Sequence, residues 1–313
     1  MLKICIVGLG SMGKRHLANL SHLLSAHHED FCIDALRSNA GDVLDVELLT
    51  LLRNIYFSSV DLPDDYDVLF ICNPTALHFD AIRELANKTK NMFIEKPVFD
   101  MSQTDITCLH LSDQGVYYVA CPLRYTRVIQ YLKQFVDEHQ IFSARIICST
   151  YLPEWRPGTD YRTNYSARKE LGGGVAIDLI HEWDYLVYLF GLPIQVVSMK
   201  GTYSNLEISS EDLAVYLGQY KDKLVTVHLD YFGRQSKREI ELYTADDVVV
   251  GDLINKEIRF LKSKEVITLP EKRNEYQVRE LKTFFDFVKG NQKNTNTIEN
   301  AVEVLKIALG EYK

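Results

Sequence analysis

Leu2-Lys3-Ile4-Cys5-Ile6-Val7-Gly8-Leu9-Gly10-Ser11-Met12-Gly13 decides the reading of this chain. An apolar run of strand length passes into a G-x-G-x-x-G turn, and Lys14 to Leu24 continue as a helix. Gly8 permits the tight bend, Gly10 lets a phosphate approach bare backbone, and Gly13 lets the helix pack closely on the strand. The start of the helix, at Ser11 and Met12, adds free N–H groups and the positive end of the helix dipole. Glycine-rich turns are common, so the context carries the inference: an apolar strand before the turn and a helix after it. The segment predicts a dinucleotide bound at the end of the first strand.

The chain has 313 residues, room for two domains and a substantial core. Its 46% hydrophobic and 25% charged residues are ordinary for a soluble globular protein. A net charge of −8 without basic clusters argues against nucleic acid and anionic membranes as partners. No apolar run approaches the roughly 20 residues that a bilayer span needs. The opening residues already form a strand, so no secretory leader is expected. Cys5, Cys32, Cys72, Cys108, Cys121 and Cys148 make no C-x-x-C pair. Buried free thiols in a reducing cytoplasm are the expectation, with no metal site.

Residues 1–121 alternate strand and helix, with strands expected at Leu2–Val7, Phe31–Leu36, Val68–Cys72, Met92–Ile94 and Val116–Ala120. Such alternation predicts an α/β fold, a doubly wound parallel sheet with helices on both faces. Asp100-Met101-Ser102-Gln103 resembles a capping box for a further helix, with Gly115 closing its far end. Thr126 is expected to start another helix. From about Ile141, period-two alternation takes over in six stretches between Ala144 and Leu253, predicting a large, mostly antiparallel sheet. One helix near Val175–Phe190 interrupts it, and helices at Gln277–Lys289 and Thr297–Leu309 close the chain. Residues 122–313 therefore read as a second, α+β domain.

Cys72-Asn73-Pro74-Thr75 ends one parallel strand and Glu95-Lys96-Pro97 ends the next. Ligands in open parallel sheets lie beyond those carboxyl ends. Pro97 stops the strand and holds Lys96 extended, where an ammonium beside a bound nicotinamide can stabilise a developing alkoxide. Taken alone, Lys-Pro at a strand end is an ordinary turn. Further on, Gly172-Gly173-Gly174 precedes a helix on which Asp178, His181 and Tyr185 follow i, i+3, i+7 spacing and so share one face. Asp178 is suited to orient His181 or bind a hydroxyl, and His181 to exchange a proton near neutral pH. Ala176, Leu179, Ile180, Trp183 and Leu186 form the opposite, core-facing side.

These pieces together resemble the glucose–fructose oxidoreductase / inositol dehydrogenase / MocA family over nearly the whole chain. The resemblance rests on Gly8-x-Gly10-x-x-Gly13, Cys72-Asn73-Pro74-Thr75-x-x-His78, Glu95-Lys96-Pro97, and the glycine triplet with Asp178 and His181. It implies an N-terminal Rossmann domain and a C-terminal domain whose open-faced sheet forms homodimers or homotetramers. It also implies NAD(P)-dependent oxidation or reduction of a sugar or cyclitol carbon. Lys96 then matches the catalytic lysine, His181 the general acid/base and Asp178 the substrate-binding aspartate. The step from Asp178 to His181 is three, one shorter than in many members. Both spacings keep the two side chains on one helical face. Gly8, Gly10, Ser11, Met12, Gly13, Cys72, Asn73, Pro74, Thr75, His78, Glu95 and Lys96 are expected to line the dinucleotide site.

The second strand ends Asp34-Ala35-Leu36-Arg37-Ser38. Arg37 and Ser38 at its edge favour NADP, whereas Asp34 at the edge would favour NAD. NADP is the expectation. Arg124 opens the second domain and is expected to face cofactor and substrate. The loop Tyr151–Arg162 offers Trp155, Arg156, Tyr161 and Arg162: aromatic faces for a sugar ring, guanidinium groups for an anion. The substrate expected is thus an anionic or nucleotide-linked sugar, of the kind found in surface-polysaccharide or sialic-acid-type metabolism. Two other readings are a non-catalytic dinucleotide or sugar sensor and an NAD-dependent glycoside hydrolase. Retention of Lys96, Asp178 and His181 argues against the sensor.

Overall fold

A computed structural model describes residues 1–38 and 44–312. By packing, the chain divides into two units: Met1–Ala120 with Gln277–Val302, and Cys121–Tyr276 with Glu303–Lys313. A division at residue 121 alone thus leaves out a returning segment, Gln277–Val302, which packs with the first unit.

The first unit holds a six-stranded parallel sheet: β1 (Leu2–Val7), β2 (Phe31–Leu36), β3 (Asn54–Tyr56), β4 (Val68–Ile71), β5 (Asn91–Ile94) and β6 (Val116–Val119). Their spatial order is β3-β2-β1-β4-β5-β6. The chain therefore runs outward from β1 in one direction, then returns to the other side of β1 at β4. That reversal opens a crevice beyond the carboxyl ends of β1 and β4. Val68, Leu69, Phe70 and Ile71 are all fully buried, the continuous apolar run of a strand covered on both faces.

Two expectations fail in this unit. Strand β3 is not among the strands expected from the sequence, because three residues, Asn54-Ile55-Tyr56, are too few to show a period. No α-helix forms between Asp100 and Gly115; only a 3₁₀ turn at Ile106–Leu109 does, capped by Asp105. The returning segment supplies an α-helix to the core of this unit instead. From the helix Glu275–Val288, Phe284 sets its ring 5.3 to 5.9 Å from those of Phe70, Phe93 and Tyr118. Asn296 then pairs with β6, its side-chain N–H donating to the Val119 carbonyl at 2.9 Å while Val119 N–H donates to the Asn296 carbonyl.

The second unit is built on an eight-stranded sheet: β7 (Ser143–Tyr151), β8 (Gln195–Gly201), β9 (Leu213–Gln219), β10 (Leu224–Asp230), β11 (Phe232–Tyr243), β12 (Val248–Asp252), β13 (Glu257–Phe260) and β14 (Val266–Thr268). The order is β14-β13-β12-β11-β7-β10-β9-β8, and only the pair β7/β10 runs parallel. One face buries Ile146, Cys148, Tyr216, Val227 and Ile240. The helix Arg127–Glu138, capped by the Thr126 hydroxyl, lies so close to it that a side chain at Gly251 would strike Leu132 and Val128. The expected helix Val175–Phe190 is broken into Val175–Asp178 and His181–Phe190. No helix among the described residues is long and apolar enough to cross a membrane.

Because Phe284 is fully buried among four aromatic rings, Phe284→Ala should cost about 3–5 kcal/mol. Urea unfolding followed by circular dichroism measures this. A loss below about 1 kcal/mol would show that the returning helix is peripheral.

Candidate functional site

In the first unit the glycine turn is bare backbone held under close constraint. Gly8 has φ +92°, and a Cβ there would lie 2.7 Å from the Asn73 nitrogen at the end of β4. A Cβ on Gly13 would lie 2.0 Å from the Gly8 carbonyl oxygen. Gly10 differs from both: among the described residues nothing lies within 4 Å of where its Cβ would be. The helix Ser11–Ala26 starts at Gly10 with no side-chain cap and no acidic residue in its first turn. Open space above Gly10, next to an uncapped helix start, fits the pyrophosphate of a dinucleotide.

Around this turn, the other motif residues brace one another. His78 is buried, with Nε2 2.9 Å from the Asn73 carbonyl oxygen and Nδ1 3.1 Å from that of Val98. Burial pushes its ring below the ordinary histidine range, against the pull of those carbonyls. It thereby ties the Asn73 loop to the segment after Pro97. Cys72, Pro74 and Thr75 form the start of that loop, Cys72 N–H donating to the Val7 carbonyl at 2.8 Å. The Cys72 thiol is pushed well up by burial and by the charge of Glu95, so it is no nucleophile.

Glu95 is also turned inward. Burial raises its carboxyl, but a 2.6 Å hydrogen bond to His16 Nε2 and the charges of His16 and Lys96 hold it below the usual range. Its second oxygen accepts the Lys96 N–H at 3.3 Å. Glu95, one of the residues expected at the dinucleotide site, thus links the Lys96 backbone to the helix that follows the glycine turn. Sequence reasoning missed His16, although a lone histidine beside Leu17 and Leu20 on a buried helix face is its trace.

Asp34 is wholly buried, accepting from Arg53 at 3.0 Å, Tyr66 at 2.7 Å and the Asn54 N–H at 3.1 Å. It lies inside β2, paired with Cys5 and Asn54, not at the strand's edge. Arg37 and Ser38 follow the last residue of β2, with Arg37 N–H donating to the Tyr56 carbonyl.

In the second unit Asp178 ends one short helix and His181 begins the next. Asp178 Oδ1 accepts from the Tyr165 hydroxyl and Oδ2 from that of Tyr231, each at 2.5 Å. Burial, then the Asp178 charge, pushes the Tyr231 phenol far up, so it stays a neutral donor. The Trp155 ring stands edge-on to Tyr231 at 5.3 Å, and the Arg156 guanidinium lies 5.9 Å from the centre of the Tyr165 ring. The loop thus does converge on Asp178, through Trp155 and Arg156. Arg162 does not join them; it pairs with Asp160 and Glu207 at the surface, and Tyr161 accepts the Glu207 N–H.

The glycine triplet explains this convergence. A Cβ on Gly173 would lie 1.9 Å from the Tyr165 carbonyl oxygen, and one on Gly174 (φ +144°) would strike the Glu211 carboxylate. The glycines therefore admit the protein's own loop to the start of the Asp178 helix. On the far side, Gly233 and the register shift between Phe232 and Lys237 place Arg234 3.9 Å over the Tyr151 ring.

Two expected site residues are buried. Tyr185 is fully buried, its hydroxyl without a hydrogen bond among the described residues. The break after Asp178 ends the common helical face on which its placement relied. Arg124 is buried and makes a two-point pair with Asp184, at 2.9 and 2.7 Å, which fixes the helix His181–Phe190.

Comparison with known proteins bears on the family and the fold. Residues 2–120 match the model of an oxidoreductase family with an NAD-binding Rossmann fold, and residues 129–248 the GFO/IDH/MocA C-terminal domain. The uncharacterized oxidoreductase YrbE of Bacillus subtilis is 30% identical over 201 residues, 63% of this chain and 56% of that protein. Myo-inositol 2-dehydrogenase of Thermotoga maritima is 23% identical over 211 residues, 64% of this chain and 58% of that protein. These matches span little more than half the length of either relative. Levoglucosan dehydrogenase, solved with NADH and levoglucosan, has a TM-score of 0.82 at 17% identity, covering 99% of this chain and 95% of that one. It shares the fold.

The contrast between glycines is testable. Gly10→Ala should cost at most about 1 kcal/mol of stability while raising the dinucleotide Kd about tenfold or more, read by fluorescence titration. Gly13→Ala, with no room for its methyl group, should lose both. Unchanged dinucleotide affinity in Gly10→Ala would place the phosphates elsewhere.

Proposed function

Because the chain belongs to the GFO/IDH/MocA oxidoreductase family, we propose that it is a cytoplasmic dehydrogenase or reductase acting on a CH–OH carbon of a sugar or sugar derivative. Lys96 carries this reading. It lies just past the β5 end, after Glu95, at the same sheet edge as the bare glycine turn, with its backbone N–H held by the Glu95 carboxylate. A bound nicotinamide would accept or supply the hydride. Lys96 steadies the developing alkoxide, His181 takes or returns the hydroxyl proton, and Asp178 orients the polar groups around it.

The proposed coenzyme is NADP. Asp34 is committed to Arg53, Tyr66 and Asn54, so the residues at the β2 edge are Arg37 and Ser38, suited to a 2′-phosphate. The proposed substrate is a ring polyol bearing an anionic or nucleotide-linked group. Trp155 offers an aromatic face, and Arg156, hydrogen-bonded to the neutral Asn164, keeps its charge for an anion. Two relatives are named for ring polyols, myo-inositol and levoglucosan.

Assembly as a homodimer or homotetramer through the second unit's sheet is part of the proposal. Its outer face exposes Val197 opposite Leu217 and Met199 opposite Val215, with Met199 72% exposed. A continuous apolar patch on paired strands marks an interaction surface.

Three measurements test these assignments. With a panel of neutral and anionic sugars, Lys96→Ala and His181→Ala should each lower kcat by about 10²–10⁴-fold; full activity in either would remove that residue's role. Arg37→Ala should weaken NADPH binding about tenfold and leave NADH binding unchanged; a wild-type preference for NADH would refute the NADP assignment. Met199→Lys with Leu217→Lys should shift the light-scattering mass to that of a monomer, and an unchanged mass would move the interface off this face.

A further inference from the structure

The Asp178 carboxylate is gripped on both sides. Tyr165 donates to Oδ1 and Tyr231 to Oδ2, and the two tyrosines come from different parts of the unit. Tyr231 lies between β10 and β11, fully buried, and is pressed by the edge of Trp155. Tyr165 belongs to a 3₁₀ turn, leaves much of its ring exposed, and turns its hydroxyl inward. Its backbone is seated by Gly173, where any Cβ would collide with the Tyr165 carbonyl. A carboxylate on a helix end can rotate about its side-chain torsions. Two charge-assisted hydrogen bonds from opposite sides remove that freedom.

We propose that Tyr165 and Tyr231 are positioning residues that fix the plane of the Asp178 carboxylate, and with it the orientation in which Asp178 serves the reaction. This rests on the reading of Asp178 as a site residue. It makes the segment 152–171 part of the active machinery, because Tyr165 reaches Asp178 only when that segment is seated on Gly173. Neither tyrosine gives up its proton; each works through the aspartate.

The test is a mutant cycle. Tyr165→Phe and Tyr231→Phe are each expected to lower kcat about tenfold, with the Kd for the dinucleotide unchanged. In an Asp178→Asn background the same two substitutions should have no further effect on kcat. A tyrosine that merely stabilised the fold would cost the same in both backgrounds, and that result would overturn the proposal, as would wild-type kcat in both Phe variants. A second measurement needs no substrate. In protein labelled with ¹³C at the tyrosine ring carbon bearing oxygen, Asp178→Asn should shift the resonances assigned to Tyr165 and Tyr231. Unmoved resonances would refute the clamp even in an active enzyme. If the wild type turned over no sugar while both resonances moved, the proposed activity would fall and the clamp would stand.

Discussion

The constraint on which the first unit depends is the near-contact of two backbones at Gly8 and Asn73. β1 and β4 are neighbours in the sheet, and their ends meet so closely that a Cβ on Gly8 would lie 2.7 Å from the Asn73 nitrogen. From that contact the rest follows as a closed circuit. Asn73 is held by His78, and His78 also holds the Val98 carbonyl. Val98 follows Lys96-Pro97, whose approach is set by Glu95. Glu95 returns to His16, on the helix that leaves the glycine turn. A buried carboxylate without a partner is costly. The circuit is therefore kept shut by electrostatics as well as packing.

The second unit solves a similar problem with different means. There the irregular part is the segment between β7 and the Asp178 helix, a chain of 3₁₀ turns rather than a sheet edge. Glycines again decide what can approach. In the first unit they leave open space among the described residues, at Gly10. In the second they leave room for the protein's own loop, at Gly173 and Gly174. Glycine-rich segments look alike in both uses, and only the neighbouring atoms tell them apart.

Charged side chains show the same division. Arg124, Arg162 and Asp34 are residue types that suit a ligand, yet each is engaged by the protein itself. Arg124 and Asp34 are paired because they are buried, and burial of an unpaired charge is prohibitive. Arg162 is paired because Asp160 lies two residues away on the same turn. Arg156, by contrast, meets the Asn164 amide and the Tyr165 ring, and no ion pair to it forms among the described residues.

The sequence by itself determined the parallel sheet around β1, the glycine turn, the mostly antiparallel second sheet and the family. These are local or periodic features: apolar runs, period-two alternation, and glycines at fixed spacing. It also marked Lys96, Asp178 and His181 by their neighbours. Only the tertiary structure decided that Phe284, far along the chain, completes the core around Phe70 and Phe93. It alone showed the break after Asp178, which sends Tyr185 into the core, and the meeting of Tyr165 and Tyr231 on one carboxylate. Contacts across 53 residues, as between Asp178 and Tyr231, leave no periodic trace in a single chain. They exist because packing brings the β10–β11 junction, the loop and the helix end together, and a pattern read along the chain carries no information about that meeting.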